Sequence, residues 1–492
     1  MSDKRPNLVI FNPDQWRGDV MGCHGDPAAV TPNLDRLVQT DGVSFRNAYC
    51  QNPVCTPSRC SFMSGWYPHV RGHKSMAHML RPPHDNNLLK TLKDAGYFVW
   101  WGGKNDLVPA QDGFEDYCDV RYSSHYAWVR DPRVQPPDPL YGPPRALEDF
   151  DEPSDFYSFY RGILEPSAGK EYYRDCDWAT VEGAIDFIKN YKWEHPWCVF
   201  IAIAYPHPPY CVEQSYYDLI DPDKLPPRRP GPESWQGPKP AFMQAYRDRV
   251  GIGDWPEDRW DELRRVYYGQ VARVDHQIGL VLDALEEAGV YDDTAMFMFA
   301  DHGDWTGDYD LVEKHQICYD DCLARVPLVV KPPQAVDVEP GVRDSLVELI
   351  DFPATVEAWT GVQLPQAHFG RDLSPVIAGD TADHRDAVFC EGGQLEAEAG
   401  FARAECGGKK PSPKGLYWGK QSVQEEAIAH IGRSFMLRTK THKYIRRVYE
   451  ADELYDLEQD PMELHNLIEE AASDPDLKEV LARLQQRMLQ WL

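Results

Sequence analysis

A cysteine, a proline and an arginine lie close together at the start of a predicted helix, in the segment Cys55-Thr-Pro-Ser-Arg59. Pro57 lacks an N–H and has φ pre-set for a first helical turn, so Cys55 is predicted at the helix N-terminus. The positive end of the helix dipole lowers the pKa of a thiol and binds anions. The segment predicts a reactive thiol facing an anion such as sulfate or phosphate. A buried structural cysteine is the alternative interpretation.

A second set of polar residues follows four predicted strands, at the point where each strand ends. The set comprises Asp14, Gln15, Lys104, His207, Asp301 and His302. Ligands of open parallel sheets bind at the carboxyl ends of strands, so we expect these side chains to lie close together. The alternative is that they are ordinary turn and capping residues.

Part of this second set has the composition of a metal site. Two carboxylates, an amide oxygen and an imidazole could hold one divalent cation, and its predicted ligands are Asp14, Gln15, Asp301 and His302. Oxygen-rich ligation favours Ca²⁺, Mg²⁺ or Mn²⁺, whereas the imidazole also admits Mn²⁺ or Zn²⁺. We expect Ca²⁺ first among these ions.

The charge and hydropathy of the chain restrict its partners and its location. The 492 residues carry a formal charge of -28, which argues against nucleic acid or an anionic membrane as a partner. No apolar run approaches the ~20 residues that span a bilayer, and the first one, residues 8–11, is too short for a signal peptide. The twelve cysteines form no CxxC pair. We therefore expect a cytoplasmic protein with reduced thiols.

Strand-like runs alternate with amphipathic helices through the first three-quarters of the chain. Strands are predicted at residues 7–11, 97–101, 197–204, 294–300 and 326–330, and helices at 31–42, 87–95, 178–191 and 261–288. This alternation predicts an α/β fold with a large, mostly parallel sheet covered by helices on both faces. Two stretches rich in Pro, Tyr, Trp and Asp, residues 107–175 and 221–258, are predicted as long excursions over the sheet edge.

The pattern changes after residue 380. Shorter strands are predicted at residues 434–437 and 443–448, and a helix at 477–492 closes the chain. We therefore predict a large α/β domain at residues 1–380 and a smaller C-terminal α+β domain at 381–492, with antiparallel strands and a terminal helix.

Short motifs along nearly the whole chain resemble those of the type I sulfatases of the alkaline phosphatase superfamily, and they occur in that family's order. The motifs are Pro6-Asn-Leu-Val-Ile-Phe11, Thr31-Pro-Asn-Leu-Asp-Arg-Leu37, Cys55-Thr-Pro-Ser-Arg59, Gly96-Tyr-Phe-Val-Trp-Trp-Gly-Gly-Lys104, Tyr205-Pro-His207, Asp301-His-Gly303, Arg325-Val-Pro-Leu328, Glu453-Leu-Tyr-Asp-Leu457 and Asp460-Pro461. The resemblance implies an alkaline phosphatase-like fold and a sulfuric ester hydrolase.

The resemblance also implies a mechanism. Cys55 would be oxidised to formylglycine by a formylglycine-generating enzyme, and the aldehyde hydrate would join the metal ligands and attack sulfur. Arg59 would orient the hydrate. Lys104 and Lys314 would hold the sulfate oxygens, and His207 would protonate the leaving alcohol.

Two departures from the family pattern bear on the substrate. Gln15 occupies a position where many sulfatases have a second aspartate, and Asp106 occupies one where many have a histidine. The Asp-Gln pair is similar to that of phosphonate monoester and phosphodiester hydrolases of the same superfamily, although those enzymes tend not to keep a lysine at the position of Lys104. Asp106 is a candidate base for regenerating the aldehyde. His315 is a further candidate, because it could replace the neighbouring Lys314.

Three functional hypotheses follow. The first is hydrolysis of a small-molecule or saccharide sulfate ester, either an aryl or a carbohydrate sulfate. The second is hydrolysis of a phosphonate monoester or phosphodiester by the same residues. The third is a non-catalytic, anion-binding relative in which Cys55 stays unmodified. Assembly as a homo-oligomer is compatible with each of them.

Overall fold

Among the described residues, nine strands of the first three-quarters of the chain form one sheet, and two others form a separate two-stranded sheet. The computed structural model describes residues 5–76, 78–81, 84–109, 114–122, 146–191, 195–398 and 411–492. Its strands are β1 (Asn7–Asp14), β2 (Val43–Tyr49), β3 (Phe98–Gly103), β4 (Val120–Tyr122), β5 (Tyr160–Leu164), β6 (Trp197–Pro206), β7 (Tyr210–Glu213), β8 (Thr294–Phe299), β9 (Arg325–Val326), β10 (Leu328–Lys331), β11 (Gly341–Glu348), β12 (Val388–Gly392), β13 (Ser434–Arg438), β14 (His442–Arg447) and β15 (Glu453–Asp456). The large sheet has the order β11-β2-β10-β8-β1-β6-β3-β4, and β9 pairs with β2.

The predicted mostly parallel sheet is confirmed. Strand β1 is parallel to both β6 and β8, and β3 is parallel to β6 and β4. Strand β10 is antiparallel to its two neighbours. Every residue of β1, β6 and β8 is buried, so both faces of the sheet centre are covered.

Helices provide that cover and connect the strands. They are α1 (Pro32–Thr40), α2 (Cys55–Ser64), α3 (Pro68–Arg71), α4 (Leu88–Asp94), α5 (Pro153–Tyr157), α6 (Cys176–Asn190), α7 (Gln214–Tyr217), α8 (Ala241–Val250), α9 (Glu257–Glu287), α10 (Asp321–Ala324), α11 (Asp351–Thr360), α12 (Ser374–Ile377), α13 (Trp418–Glu426) and α14 (Pro475–Trp491). Among the described residues, none of the helices combines the length and apolarity that crossing a membrane requires.

Three local predictions differ from the structure. The strand predicted at 326–330 is two strands, β9 and β10, because Pro327 between them has no N–H to donate to a sheet ladder. Helix α9 begins at Glu257 rather than at 261, with Pro256 before it and acidic residues in its first turn. The predicted excursion 221–258 contains the regular helix α8. The excursion 107–175 lies partly outside the described residues.

The C-terminal part contains a separate four-stranded antiparallel sheet in the order β12-β13-β14-β15. Helix α14 packs on it through Trp491, whose ring stacks on Phe389 with centroids 4.5 Å apart. The predicted strands at 434–437 and 443–448 correspond to β13 and β14. The domain boundary between residues 380 and 381 stays a prediction.

Candidate active site

Four adjacent parallel strands carry predicted site residues at their carboxyl ends. In the order β8-β1-β6-β3, Asp301 follows β8, Asp14 ends β1, His207 follows β6 and Lys104 follows β3. Neighbouring strands in register bring their carboxyl ends to one edge of the sheet. The sheet order therefore accounts for the convergence of residues that are almost 300 positions apart in the sequence.

The turn after β3 places Lys104 and requires a glycine before it. Gly103 has φ 81°, and a Cβ there would lie 1.9 Å from the carbonyl oxygen of Ala202. This close approach lets the Lys104 N–H donate to the same carbonyl at 2.6 Å. Lys104 Nζ then reaches Asp14 Oδ2 at 2.5 Å and Cys55 Sγ at 3.5 Å.

Cys55 is the first residue of α2, as predicted, and its thiol lies within the group of strand-end residues. Its Sγ is 3.2 Å from His302 Nε2 and 3.6 Å from Asp14 Oδ1. The residue is only 2% exposed. The thiol is thus surrounded by groups that bind cations or anions rather than by apolar core.

The predicted lowering of the Cys55 pKa is wrong. Burial, reinforced by the Asp14 carboxylate, raises the pKa of the thiol to about 12, although Lys104 and Lys314 oppose the rise. Desolvation and a neighbouring negative charge both disfavour a thiolate, and here they outweigh the helix dipole. The unmodified residue is therefore a neutral thiol at neutral pH.

Four side chains form a group able to hold a metal ion: Asp14, Cys55, Asp301 and His302. Their ligand atoms all lie within 4.8 Å of one another. His302 Nδ1 lies 2.9 Å from the Gly303 carbonyl, which can only accept, so Nδ1 carries the proton and the Nε2 lone pair faces Asp14. Two carboxylates and a ligand-ready imidazole fit a divalent cation.

Arg59 holds the two aspartates of this group in place. Its Nε donates to Asp301 Oδ2 at 2.8 Å, and its Nη2 donates to Asp14 Oδ2 at 3.0 Å. Burial favours the neutral carboxyl, but the positive charges of Lys104 and Arg59 hold the pKa of Asp14 well below its usual range. Both aspartates are therefore oriented, and Asp14 is ionised. Among the described residues, the buried Nη1 of Arg59 has no hydrogen-bond partner.

Gln15 lies beside this group with its amide already engaged. Its Nε2 donates to Asp304 Oδ2 at 2.6 Å, and its Oε1 accepts from Lys314 Nζ at 2.5 Å. Its backbone is in the left-handed region, with φ 67°. Gln15 thereby joins the predicted metal group to the predicted sulfate-binding lysine.

His207 approaches the site from β6. Its Nδ1 donates to the Pro208 carbonyl at 2.5 Å, so Nε2 carries the lone pair in the neutral ring. Nε2 lies 3.5 Å from the Tyr417 hydroxyl and 3.9 Å from Glu313 Oε1. Burial, with the positive charges of Lys314 and Lys104, keeps the pKa of His207 well below its usual value.

The two further candidates differ in their surroundings. Asp106 has φ 47°, and its Oδ2 lies 3.2 Å from Lys104 Nζ, so its carboxylate faces the site. His315 is buried with its ring stacked on Phe242 at 3.5 Å between centroids, and its Nε2 lies 2.7 Å from the Gln424 amide nitrogen. One side-chain partner of His315 is thus on α13, whereas the adjacent Lys314 faces the site.

Several residues of the site were not predicted from the sequence. They are Asp304, Glu313, Tyr417 and Lys420. Asp304 follows the Asp301-His302 pair closely, and burial raises its pKa to about 6. Glu313 adjoins the predicted Lys314. Tyr417 and Lys420 come from the segment around α13, which no sequence motif connects to the strand ends.

Comparison with known proteins identifies the family. A model of the sulfatase family matches residues 6–362. The chain is similar to an arylsulfatase from Clostridium perfringens, with 25% identity over 484 residues, 94% of this chain and 90% of that protein. It is also similar to an N-acetylglucosamine-6-O-sulfatase from Bacteroides thetaiotaomicron, with 22% identity over 550 residues, 99% of this chain and 87% of that protein.

A solved structure shares the fold. The phosphonate monoester hydrolase of Agrobacterium radiobacter superposes with a TM-score of 0.71 at 20% identity, covering 99% of this chain and 95% of that one. Since the family model spans most of the chain, the protein belongs to the sulfatase family and is a hydrolase with an alkaline phosphatase-like fold.

Proposed function

We propose that the protein is a formylglycine-dependent sulfatase that hydrolyses an aryl or carbohydrate sulfate ester. The observation that carries the proposal is the position of Cys55, whose Sγ lies 3.2 Å from His302 Nε2 and 3.5 Å from Lys104 Nζ. A side chain at this point contacts both the candidate metal ligands and a cation able to bind a sulfate oxygen. The names of the arylsulfatase and the N-acetylglucosamine-6-O-sulfatase relatives support this substrate class.

Maturation of Cys55 by a formylglycine-generating enzyme explains why a cysteine occupies this position. The thiol has a pKa of about 12 and is a poor nucleophile at neutral pH. An aldehyde at the same position adds water to give two hydroxyls on one carbon. One hydroxyl can attack sulfur, and the other can later break the bond that forms.

A divalent cation fits beside this hydrate. Asp14, Asp301 and His302 would hold it together with residue 55, and Gln15 is the remaining predicted ligand. When bound, such an ion lowers the pKa of a hydroxyl next to it and offsets the two carboxylates.

The chain's own residues account for the other requirements of the reaction. Lys104 and Lys314 bind the sulfate oxygens and offset the charge that develops on them. The Nη1 of Arg59, which has no hydrogen-bond partner in the described parts of the chain, is available to orient a hydroxyl of the hydrate. Attack on sulfur breaks the ester bond, and a protonated His207 delivers the proton from Nε2 to the leaving oxygen.

Release of sulfate regenerates the aldehyde without attack of water on sulfur. The second hydroxyl of the hydrate loses its proton, and its oxygen forms a C=O bond with the same carbon. The bond between that carbon and the sulfate oxygen breaks, and sulfate leaves. Asp106 is the candidate base for this step, because its carboxylate lies 3.2 Å from Lys104 Nζ at the side of the site.

The position of Gln15 favours a second candidate function, hydrolysis of a phosphonate monoester or phosphodiester. An amide in place of a carboxylate removes one negative charge from the site. A more positive site favours a phosphonate monoester or phosphodiester, whose single negative charge is shared by fewer non-bridging oxygens than that of a sulfate ester. The similar fold of the phosphonate monoester hydrolase is compatible with this alternative.

A comparison of kcat/KM tests the proposal. The matured protein should hydrolyse 4-nitrophenyl sulfate with a kcat/KM above that for the corresponding phenylphosphonate ester. A preference of more than about tenfold for the phosphonate, equal to about 1.4 kcal/mol of transition-state binding, would contradict the proposal and make phosphonate hydrolysis the main function.

A further inference from the structure

Glu313 is a fully buried carboxylate shared by two lysines. Its Oε1 accepts from Lys314 Nζ at 2.6 Å, and its Oε2 accepts from Lys420 Nζ at 2.5 Å. Oε1 also lies 3.9 Å from His207 Nε2. The negative charge of Glu313 therefore lies among two lysines and a histidine that can be protonated.

The backbone of Glu313 is held in an unfavourable conformation. Its φ is 69°, in the left-handed region that residues other than glycine seldom adopt. The Glu313 N–H donates to the Tyr210 hydroxyl at 3.1 Å, and its carbonyl accepts from the Trp305 N–H at 3.0 Å. Strained residues persist where surrounding contacts determine them and often lie at functional sites.

Lys420 comes from a part of the chain distant in sequence from the strand ends. It lies on α13, in the same segment as Tyr417, whose hydroxyl is 3.5 Å from His207 Nε2. Gln424 on the same helix contacts His315. The segment thus reaches the site at several points beside the proposed acid and the proposed sulfate-binding lysine.

The two lysines have different partners around this carboxylate. Lys314 also contacts Gln15 Oε1 and faces the site. Lys420 Nζ instead contacts the Lys314 carbonyl at 3.4 Å and lies 5.2 Å from the centroid of the Tyr417 ring. Were Lys420 absent, the buried charge of Glu313 would be balanced by Lys314 alone. Glu313 would then neutralise the charge of Lys314, and Lys314 would attract a bound anion less strongly.

We propose that Glu313 and Lys420 are positioning residues for the hydrolytic reaction: Glu313 holds Lys314 toward the sulfate, and Lys420 balances the Glu313 charge so that Lys314 stays available to the anion. This inference rests on the proposed function for the role of Lys314. It extends the set of residues that position Lys314 to α13.

Binding of inorganic sulfate to the matured, metal-loaded protein, measured by isothermal titration calorimetry, tests the inference without turnover. Lys420→Met keeps the apolar stem and should weaken sulfate binding by about tenfold, because the site becomes more negative. Glu313→Gln should bind sulfate at least as tightly as the wild type, yet lower kcat by about tenfold, because Lys314 is no longer held in place.

A double variant separates an effect through Glu313 from direct contact with sulfate. In the Glu313→Gln background, Lys420→Met should change sulfate affinity by less than about threefold. Lys420→Arg should keep kcat and affinity close to those of the wild type. Lys414→Ala removes the same charge from an exposed position of the same segment and is the matched control.

Three results would overturn the inference. One is a loss of sulfate affinity by Lys420→Met that is equally large in both backgrounds, and another is a loss no greater than that of Lys414→Ala. The third is an unchanged kcat in Glu313→Gln. This measurement still tests the inference if Lys420→Met does not fold. Failure of the wild type to cleave sulfate esters would refute the proposed function, whereas the binding measurements would still judge this inference.

Discussion

Lys314 Nζ donates to the amide oxygen of Gln15 at 2.5 Å. The residue predicted to complete the metal site therefore contacts the residue predicted to bind sulfate. A change of charge at position 15 would act directly on Lys314. Under the proposed function, Gln15 would therefore link the choice of substrate to the candidate metal site.

Replacing Gln15 by glutamate tests this connection. Gln15→Glu keeps the length of the side chain and adds a negative charge beside Lys314. This disfavours the phosphonyl transition state, whose negative charge is concentrated on fewer non-bridging oxygens than that of a sulfate ester. We expect the ratio of kcat/KM for 4-nitrophenyl sulfate to that for the phenylphosphonate ester to rise by about tenfold. Gln421→Glu, at an exposed position of α13, is the control for added charge. A ratio that falls would contradict this role of Gln15.

Removing the imidazole of His207 should affect esters according to their leaving group. Phenolate needs protonation more than 4-nitrophenolate does, so His207→Ala should lower kcat for phenyl sulfate by about 100-fold or more and for 4-nitrophenyl sulfate by much less. The exposed His84→Ala serves as control. Equal losses for the two esters would show that His207 is not the general acid.

The same histidine predicts a pH dependence. Burial and the charges of Lys314 and Lys104 keep the pKa of His207 below 6.5 in the free enzyme, and the acid must be protonated to act. The kcat/KM for phenyl sulfate should therefore be highest in acid and should already fall as the pH rises through the region below 6.5. A profile for phenyl sulfate that rises steadily from pH 5 to pH 8 would contradict this protonation state.

Chelation should reduce stability as well as activity. Asp14 and Asp301 contribute buried carboxylates to one group, and a cation that binds only the folded state adds about 2.7 kcal/mol to the free energy of unfolding at 100 times its Kd. EDTA should lower the Tm of the wild type, and adding back Ca²⁺, Mn²⁺, Mg²⁺ or Zn²⁺ singly should identify the ion. The Tm of Asp14→Asn should respond much less to EDTA. An equal response of both proteins would place the metal elsewhere.

The strand-end residues could be predicted from the sequence because each follows a recognisable run. Asp14, Lys104, His207 and Asp301 all come directly after, or at the end of, buried strands, and a parallel sheet brings such positions to one edge. The antiparallel direction of β10 could not be predicted, since a short apolar run carries no information on strand direction.

Other features of the site depend on contacts that no local pattern encodes. The pKa of Cys55 follows from complete burial beside Asp14, which a helix N-terminus alone does not reveal. The pairing of Glu313 with Lys420 joins positions 107 residues apart. A lysine on an amphipathic helix is usually a solvated charge, so Lys420 gave no sequence signal of its position at the site.

The central claim is that residue 55 is a formylglycine, and mass spectrometry of the tryptic peptide Asn47 to Arg59 from protein made in its native host tests it most directly. Fragmentation should show an aldehyde in place of the CH₂–SH group at position 55, while Cys50 in the same peptide stays a thiol and serves as the internal control. An unmodified cysteine at position 55 in protein that hydrolyses sulfate esters would contradict the account.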